Sequence, residues 1–279
     1  SEAHDGYVTG KLAPGHQNYR ESLIVSHHLL LAHARGMPVI RQNAPQAQAG
    51  TVLNIIPFSP ASASSYDRKL VLDADASWNR WFLDPIAGRG YPLEYIKENN
   101  LNMSFVEDGD LDEIAVPIDY LGVNYYTRAI LRSTAVPESK NMPVTLQAGK
   151  EVTDMGWEVY PEGLYEVLGR LHFEYHFPAY YITESGAAYP DQLEADGQVH
   201  DPQRISYLER HFAQAARAVQ AGIPLHGYFV WSFFDNFEWA QGFSKRFGLS
   251  YIDYPTLKRT LKDSALWYQT WITNQKKGD

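Results

Sequence analysis

The stretch Ala179-Tyr180-Tyr181-Ile182-Thr183-Glu184-Ser185-Gly186 is an apolar, aromatic and β-branched run that stops at a carboxylate and then a glycine. A short run of this composition reads as a buried strand. Glu184, just past its apolar part and just before a flexible residue, is then presented at a sheet end instead of being packed inside it. Three further runs share the pattern. Thr51-Val52-Leu53-Asn54-Ile55-Ile56-Pro57 is terminated by Pro57 and Pro60, and its composition is that of a parallel strand covered on both faces. Ile118 to Tyr126 finishes in Asn124-Tyr125-Tyr126, and Gly227 to Val230 finishes in Trp231.

Helical patterns lie between these runs. Leu23, His27, Leu30, Leu31 and Ala34 share one face, and Gly36 predicts the end of that helix. The clearest helix has Asp201 as N-cap, Pro202 at the first position, a stripe of Ile205, Leu208, Phe212, Ala216 and Val219, and Gly222 as its stop. Strand, helix-bearing connection and strand, repeated, specify βαβ units and a parallel sheet. Polar and aromatic groups gathered at the carboxyl ends of the strands favour a (β/α)8 barrel, whose chemistry sits on that face. A doubly wound nucleotide-binding sheet would carry a glycine-rich loop after its first strand, and no such loop occurs here.

Composition bounds the function. The 279 residues are 44% hydrophobic, enough for one large α/β domain, 1–279. A formal charge of −9 with both signs interspersed argues against nucleic acid or an anionic membrane as partner. The chain has no cysteine, which excludes disulfides and thiolate chemistry and agrees with a cytoplasmic setting. No apolar run reaches membrane-spanning length.

Glu184 is the candidate catalytic carboxylate, and Tyr126 and Asn124, from another strand end, are candidate donors that keep it ionised and aimed. Trp231 through Phe247 is too aromatic for a solvated loop and too polar for a core strand. Aromatic faces suit the C–H side of a sugar ring and a carboxylate accepts from its hydroxyls, so Trp231, Glu238 and Trp239 read as a carbohydrate-binding wall. Ordinary packing accounts for Phe233, Phe234 and Phe237. His172 and His176 stand four apart but not in zinc-protease order, and His27, His28 and His33 read as buried packing histidines. No metal or organic cofactor is called for.

Together these segments resemble glycoside hydrolase family 1, the family of β-glucosidases. The resemblance runs almost end to end: His27-His28-Leu29-Leu30-Leu31-Ala32-His33, Leu53 to Pro57, Asn79 to Pro85, Leu121 to Thr127, Gly156 to Gly163, Ile182-Thr183-Glu184, and Trp231 to Tyr251. It implies a (β/α)8 barrel and a retaining β-glucosidase that removes terminal non-reducing glucosyl units, for instance from cellobiose. It matches Glu184 to the nucleophile, Tyr126 to its hydrogen-bonding tyrosine, and Trp231, Glu238, Trp239 and Phe247 to the glycone site. Glu238 implies an unphosphorylated glycone, because the phosphoglucosidase branch carries a small residue there. Ser185 departs from the family's asparagine, which bears on rate more than on role.

A larger departure is that the family's Asn-Glu-Pro tripeptide, which holds the acid/base glutamate, does not occur. Aligning Ala13-Pro14-Gly15 with the family sets Ser1 just beyond that motif, and Glu2 is no substitute. The resemblance therefore spans barrel strands five to eight, and it predicts an N-terminal half-barrel polypeptide as partner, supplying the acid. Two competing readings remain open: a carbohydrate-binding or regulatory protein without catalysis, and a transglycosylase of the same family. Turnover of a nitrophenyl β-glucoside separates the first, and product analysis with alcohol acceptors the second.

Overall fold

The computed structural model describes residues 2–135 and 150–275, so Ser1 lies outside the described residues. The helix Tyr19–Asn43 starts where the side chain of Asn18 accepts hydrogen bonds from the Arg20 and Glu21 N–H groups. Leu23, His27, Leu30, Leu31 and Ala34 are all buried, as their spacing predicts. The expected stop at Gly36 is not kept. Met37 carries the buried stripe one turn further, and Arg41 in the last turn donates to Asp119 and to the Pro117 carbonyl. These contacts hold the helix past Gly36 and past Pro38, whose ring removes one backbone donor. His27 is buried between the Tyr91 hydroxyl and Asp110, each 2.9 Å away. His28, expected inside, is exposed because it faces away from the stripe, and His33 is only partly buried.

The strands are β1 (Gly50–Asn54), β2 (Phe58–Pro60), β3 (Tyr120–Asn124), β4 (Ala129–Leu131), β5 (Tyr180–Ser185), β6 (Leu225–Val230), β7 (Ser250–Asp253) and β8 (Lys258–Leu261). The central sheet has the order β1-β3-β5-β6 and every pairing in it is parallel. The connection from β3 to β5 contains the helix Glu162–Arg170, and that from β5 to β6 the helix Pro202–Gln220. This is the repeating unit of a (β/α)8 barrel. One sheet face is packed: Leu121, Val123, Tyr125, Tyr180 and Ile182 are fully buried against the helices. Each such side chain contributes roughly 1.5–3 kcal/mol relative to an exposed one. The opposite face is open, with Val52 46% and Phe229 58% exposed. The expectation that the Thr51 run is covered on both faces is thus corrected, since no layer of described residues covers the face that carries Val52.

The helix Pro202–Gln220 begins and ends as its sequence predicts, but its buried face is turned. Leu208 and Phe212 are inside; Ala216 and Val219 are exposed, and the rest of the face is Arg204, Tyr207, His211, Ala215 and Ala218. Asp201 occupies the cap position without a side-chain cap bond, because its carboxylate accepts from the Ser264 N–H and hydroxyl and pairs with Arg204. A small core of Tyr189, Tyr207, Leu208, Phe212 and Leu249 joins this helix to the terminal helix Asp263–Gln275. No helix among the described residues is long and apolar enough to cross a membrane.

Candidate active site

Strand register sets the site. Asn54, Asn124 and Glu184 stand abreast on β1, β3 and β5. The register of β3 against β5 shifts between Val123 and Asn124, and that of β5 against β6 between Ile182 and Ser185. Glu184 therefore lies within the last residues of β5, at an irregular sheet end. The Tyr126 hydroxyl donates to Glu184 Oε2 at 2.7 Å. Burial, and next the charge of Glu184, hold the Tyr126 phenol well above its ordinary range, so it stays a donor. Asn124 has a different partner from the one expected: its Oδ1 accepts from the Thr183 hydroxyl at 2.7 Å. Asn124 lines a cavity with Asn54, Trp78 and Asn79, and its bond fixes the residue preceding Glu184.

The Glu184 end is tightly packed from behind. A Cβ on Gly186 would come within 1.8 Å of the Trp231 carbonyl oxygen, so only glycine allows β5 and β6 to approach here. The Trp231 N–H donates to the Ser185 carbonyl at 3.0 Å, which ties the two strand ends together. Ser185 points away from the cleft into the packed layer, fully buried, with its hydroxyl 3.4 Å from that of Tyr207.

The loop after β6 brings the aromatic wall. Trp231 and Glu238 are partly buried and Trp239 is 61% exposed. Glu238 opens a closed turn in which its N–H donates to the Gly242 carbonyl at 2.7 Å. Its carboxyl is pushed above the usual carboxylate range by burial and then by the charge of Glu184, which places the two carboxyls in one electrostatic environment. Phe247 is only 2% exposed and meets the rings of Tyr126 and Trp157 with centroids 6.2 and 6.1 Å away, so it backs the wall. Trp157 was not singled out as a site residue from the sequence; its ring lies 5.5 Å from that of Tyr126. The signal available was its place in the segment Gly156 to Gly163, next to Glu158, which Arg128 binds through two nitrogens. Phe233, Phe234 and Phe237, expected to be ordinary packing, are exposed: the backbone of this loop pairs with the segment Phe247 to Ser250, but the three rings point out of that contact.

A strand-end carboxylate that accepts from a phenol, with an aromatic loop bearing a second carboxylate, has the groups to attack an electrophilic carbon and grip a polyhydroxylated ring. Comparison with known proteins identifies the family. The model of glycosyl hydrolase family 1 matches residues 1–277. The chain is 40% identical over 273 residues to β-glucosidase A of Acetivibrio thermocellus, covering 96% of this chain and 61% of that one. A bifunctional β-D-glucosidase/β-D-fucosidase of Bifidobacterium breve is 37% identical over 290 residues, covering 98% and 62%. The structure of a Thermotoga maritima β-glucosidase in complex with glucoimidazole superposes with a TM-score of 0.89 at 40% identity, covering 98% of this chain and 61% of the other. The chain thus spans about three fifths of the length of these relatives, and its parallel sheet is part of a (β/α)8 barrel. With the family match running over nearly every residue, the chain belongs to glycosyl hydrolase family 1.

Proposed function

We propose that residues 1–279 form one domain of a retaining β-glucosidase in which Glu184 is the nucleophile. The observation that carries this reading is the 2.7 Å bond from Tyr126 to a strand-end carboxylate that acts electrostatically on Glu238 of the aromatic loop. Glu184 attacks C1 of a terminal non-reducing β-D-glucosyl unit and expels the aglycone, which leaves with a proton; water then displaces Glu184 from the face the aglycone left, so the β configuration is retained. Tyr126 orients the attacking oxygen. Glu238 accepts from glycone hydroxyls, Trp231 and Trp239 flank the ring, Asn124 lines the cleft beside the nucleophile, and Phe247 supports Tyr126.

The retaining reaction needs a second carboxyl about 5–5.5 Å from the first to protonate the aglycone and later to activate water. We assign that acid/base glutamate to a polypeptide that completes the barrel along β1 and β6. The open inner face with exposed Val52 and Phe229, and the exposed Phe233 and Phe234 beyond β6, support this, since bare edges and apolar surface invite a partner. Substrates are β-glucosides and short β-linked oligosaccharides such as cellobiose, and a cysteine-free chain suits the cytoplasm.

The deciding experiment treats the assembled barrel with 2-deoxy-2-fluoro-β-D-glucosyl fluoride and follows intact mass. A stoichiometric adduct on the peptide containing Glu184, absent in Glu184→Gln, is expected. An adduct that persists in Glu184→Gln overturns the assignment.

A further inference from the structure

A cluster of charges lies behind the cleft and takes no part in the chemistry above. We propose that Lys262 is a positioning residue for glycone recognition, locking the loop that carries Glu238 and Trp239 to the loop that follows the nucleophile strand. This role rests on the assignment of Glu184 and Glu238 made above.

Lys262 follows β8 directly and is 0% exposed. Its ammonium donates to Asp191 at 2.5 Å and to Asp235 at 2.8 Å. Asp191 lies on the loop after β5, seven residues beyond Glu184, and Asp235 lies on the wall loop, three residues before Glu238. Arg204 reinforces the same junction: it donates to Asp191 at 2.7 Å, to the Ala187 carbonyl at 3.2 Å and to the Arg246 carbonyl at 2.8 Å, and pairs with Asp201. Arg246 donates to Asp235 at 2.6 Å, and the Gly248 N–H does so at 2.9 Å. Three cations, Lys262, Arg204 and Arg246, thus face three carboxylates, Asp191, Asp201 and Asp235.

The wall loop needs such an anchor. Between Asp235 and Arg246 its backbone bonds close on the loop itself, Glu238 to Gly242, Gln241 to Glu238, Gly242 to Trp239 and Ser244 to Gln241, and beside the base Lys245 ties it to Asp154. Phe237, Trp239 and Phe243 on it are exposed, so the tip is not packed into a core. The separation of Glu238 from Glu184 is set at the base, where Asp235 and Arg246 meet each other and the buried cations. A well-packed apolar cluster can match buried ion pairs in stability, so stability alone does not call for charge here. What directional bonds add is a fixed spacing between two loops that share no strand.

A glucosyl ring with C1 at Glu184 carries its far hydroxyls, on C4 and C6, toward the loop that holds Glu238. In the assembled wild-type protein, 4-deoxy and 6-deoxy nitrophenyl β-glucosides are each expected to lose about tenfold or more in kcat/KM against the parent glucoside, as removal of a hydrogen bond to a carboxylate implies. In Lys262→Met that penalty is expected to shrink to less than about threefold. The saturating rate of Glu184 labelling by 2-deoxy-2-fluoro-β-D-glucosyl fluoride should stay within about threefold of wild type, as it would not if the strand end were disrupted. A folded Lys262→Met that keeps the full deoxy penalty overturns the proposal, as does one whose labelling rate collapses together with selectivity. If Lys262→Met does not fold, Asp235→Asn, which keeps the shape and loses the charge, is read by the same two criteria. A wild-type protein that neither turns over nor labels sinks the glucosidase reading itself, an outcome distinct from a retained deoxy penalty in an active variant.

Discussion

Replacing Tyr126 with phenylalanine deletes one hydroxyl and leaves the ring against Phe247 and Trp157. The lost bond is the 2.7 Å donation to Glu184 Oε2. A hydrogen bond to a charged group is worth about 1.5–3 kcal/mol. As Glu184 attacks C1, its charge passes into the new bond and the phenol's hold weakens, so the first step gains little electrostatic help from Tyr126. As water cleaves the glucosyl ester, charge returns to the carboxylate and the phenol's hold strengthens on the way to the transition state. The second step should therefore slow by about 10- to 150-fold, at about 1.4 kcal/mol per decade. With a dinitrophenyl glucoside, whose first step is fast, kcat and KM should fall together and kcat/KM should fall much less. Stopped-flow kinetics should show a stoichiometric burst of phenolate, and rapid-quench mass spectrometry should show the glucosyl adduct accumulating. A variant in which kcat/KM falls as far as kcat, with KM unchanged and no adduct, refutes this account of Tyr126.

Gly186→Ala forces a methyl toward the Trp231 carbonyl, where a Cβ would sit 1.8 Å from the oxygen, so the ends of β5 and β6 must part. A stability loss of about 3 kcal/mol by chemical denaturation is expected, together with loss of Glu184 labelling. Ile182→Ala empties a fully buried position on β5 and should cost about 2–5 kcal/mol, read from the denaturation midpoint. His200 is bonded to Asp263 and Asp196, which raise it to about 9 from 6.5. Because the folded value lies above the unfolded one, its contribution is complete below pH 6.5 and disappears as pH rises through about 9. His200→Gln should accordingly lower Tm at pH 6 and leave it unchanged at pH 10, by differential scanning fluorimetry. Phe229→Glu puts a charge on the open face of the edge strand β6; it should weaken assembly with the barrel-completing polypeptide, seen by analytical ultracentrifugation, while the chain's far-ultraviolet circular dichroism stays the same.

Much of the fold was legible because its signals are local. The stripe Leu23 to Ala34 follows the helical period and is buried as expected, and the strand ends at Asn124, Ser185 and Val230 fall within the runs that the apolar pattern marks. The misreadings share one cause. On the helix Pro202–Gln220 a hydropathy pattern puts Arg204 and His211 outside, yet both are buried: Arg204 pairs with Asp191 from the loop after β5 and with the helix's own cap Asp201, and His211 Nδ1 meets the Tyr207 carbonyl one turn earlier. Asn124 was expected to serve Glu184, but the neighbouring strand offers it the Thr183 hydroxyl at closer fit. Phe233, Phe234 and Phe237 look like core by composition and are exposed because they lie on the loop after β6, whose described contacts are made by its backbone.

The sequence by itself determined that parallel strands alternate with helices, that Glu184 sits at a strand end, and that an aromatic, carboxylate-bearing loop follows the last of these strands; periodicity and end chemistry are properties of neighbouring residues. Which groups meet was decided only by tertiary structure. Tyr126 and Glu184 are 58 positions apart, and Asp235 and Lys262 are 27 apart. Their contacts exist because strand register and loop packing bring distant segments within hydrogen-bond range, where burial favours the pairing of polar groups.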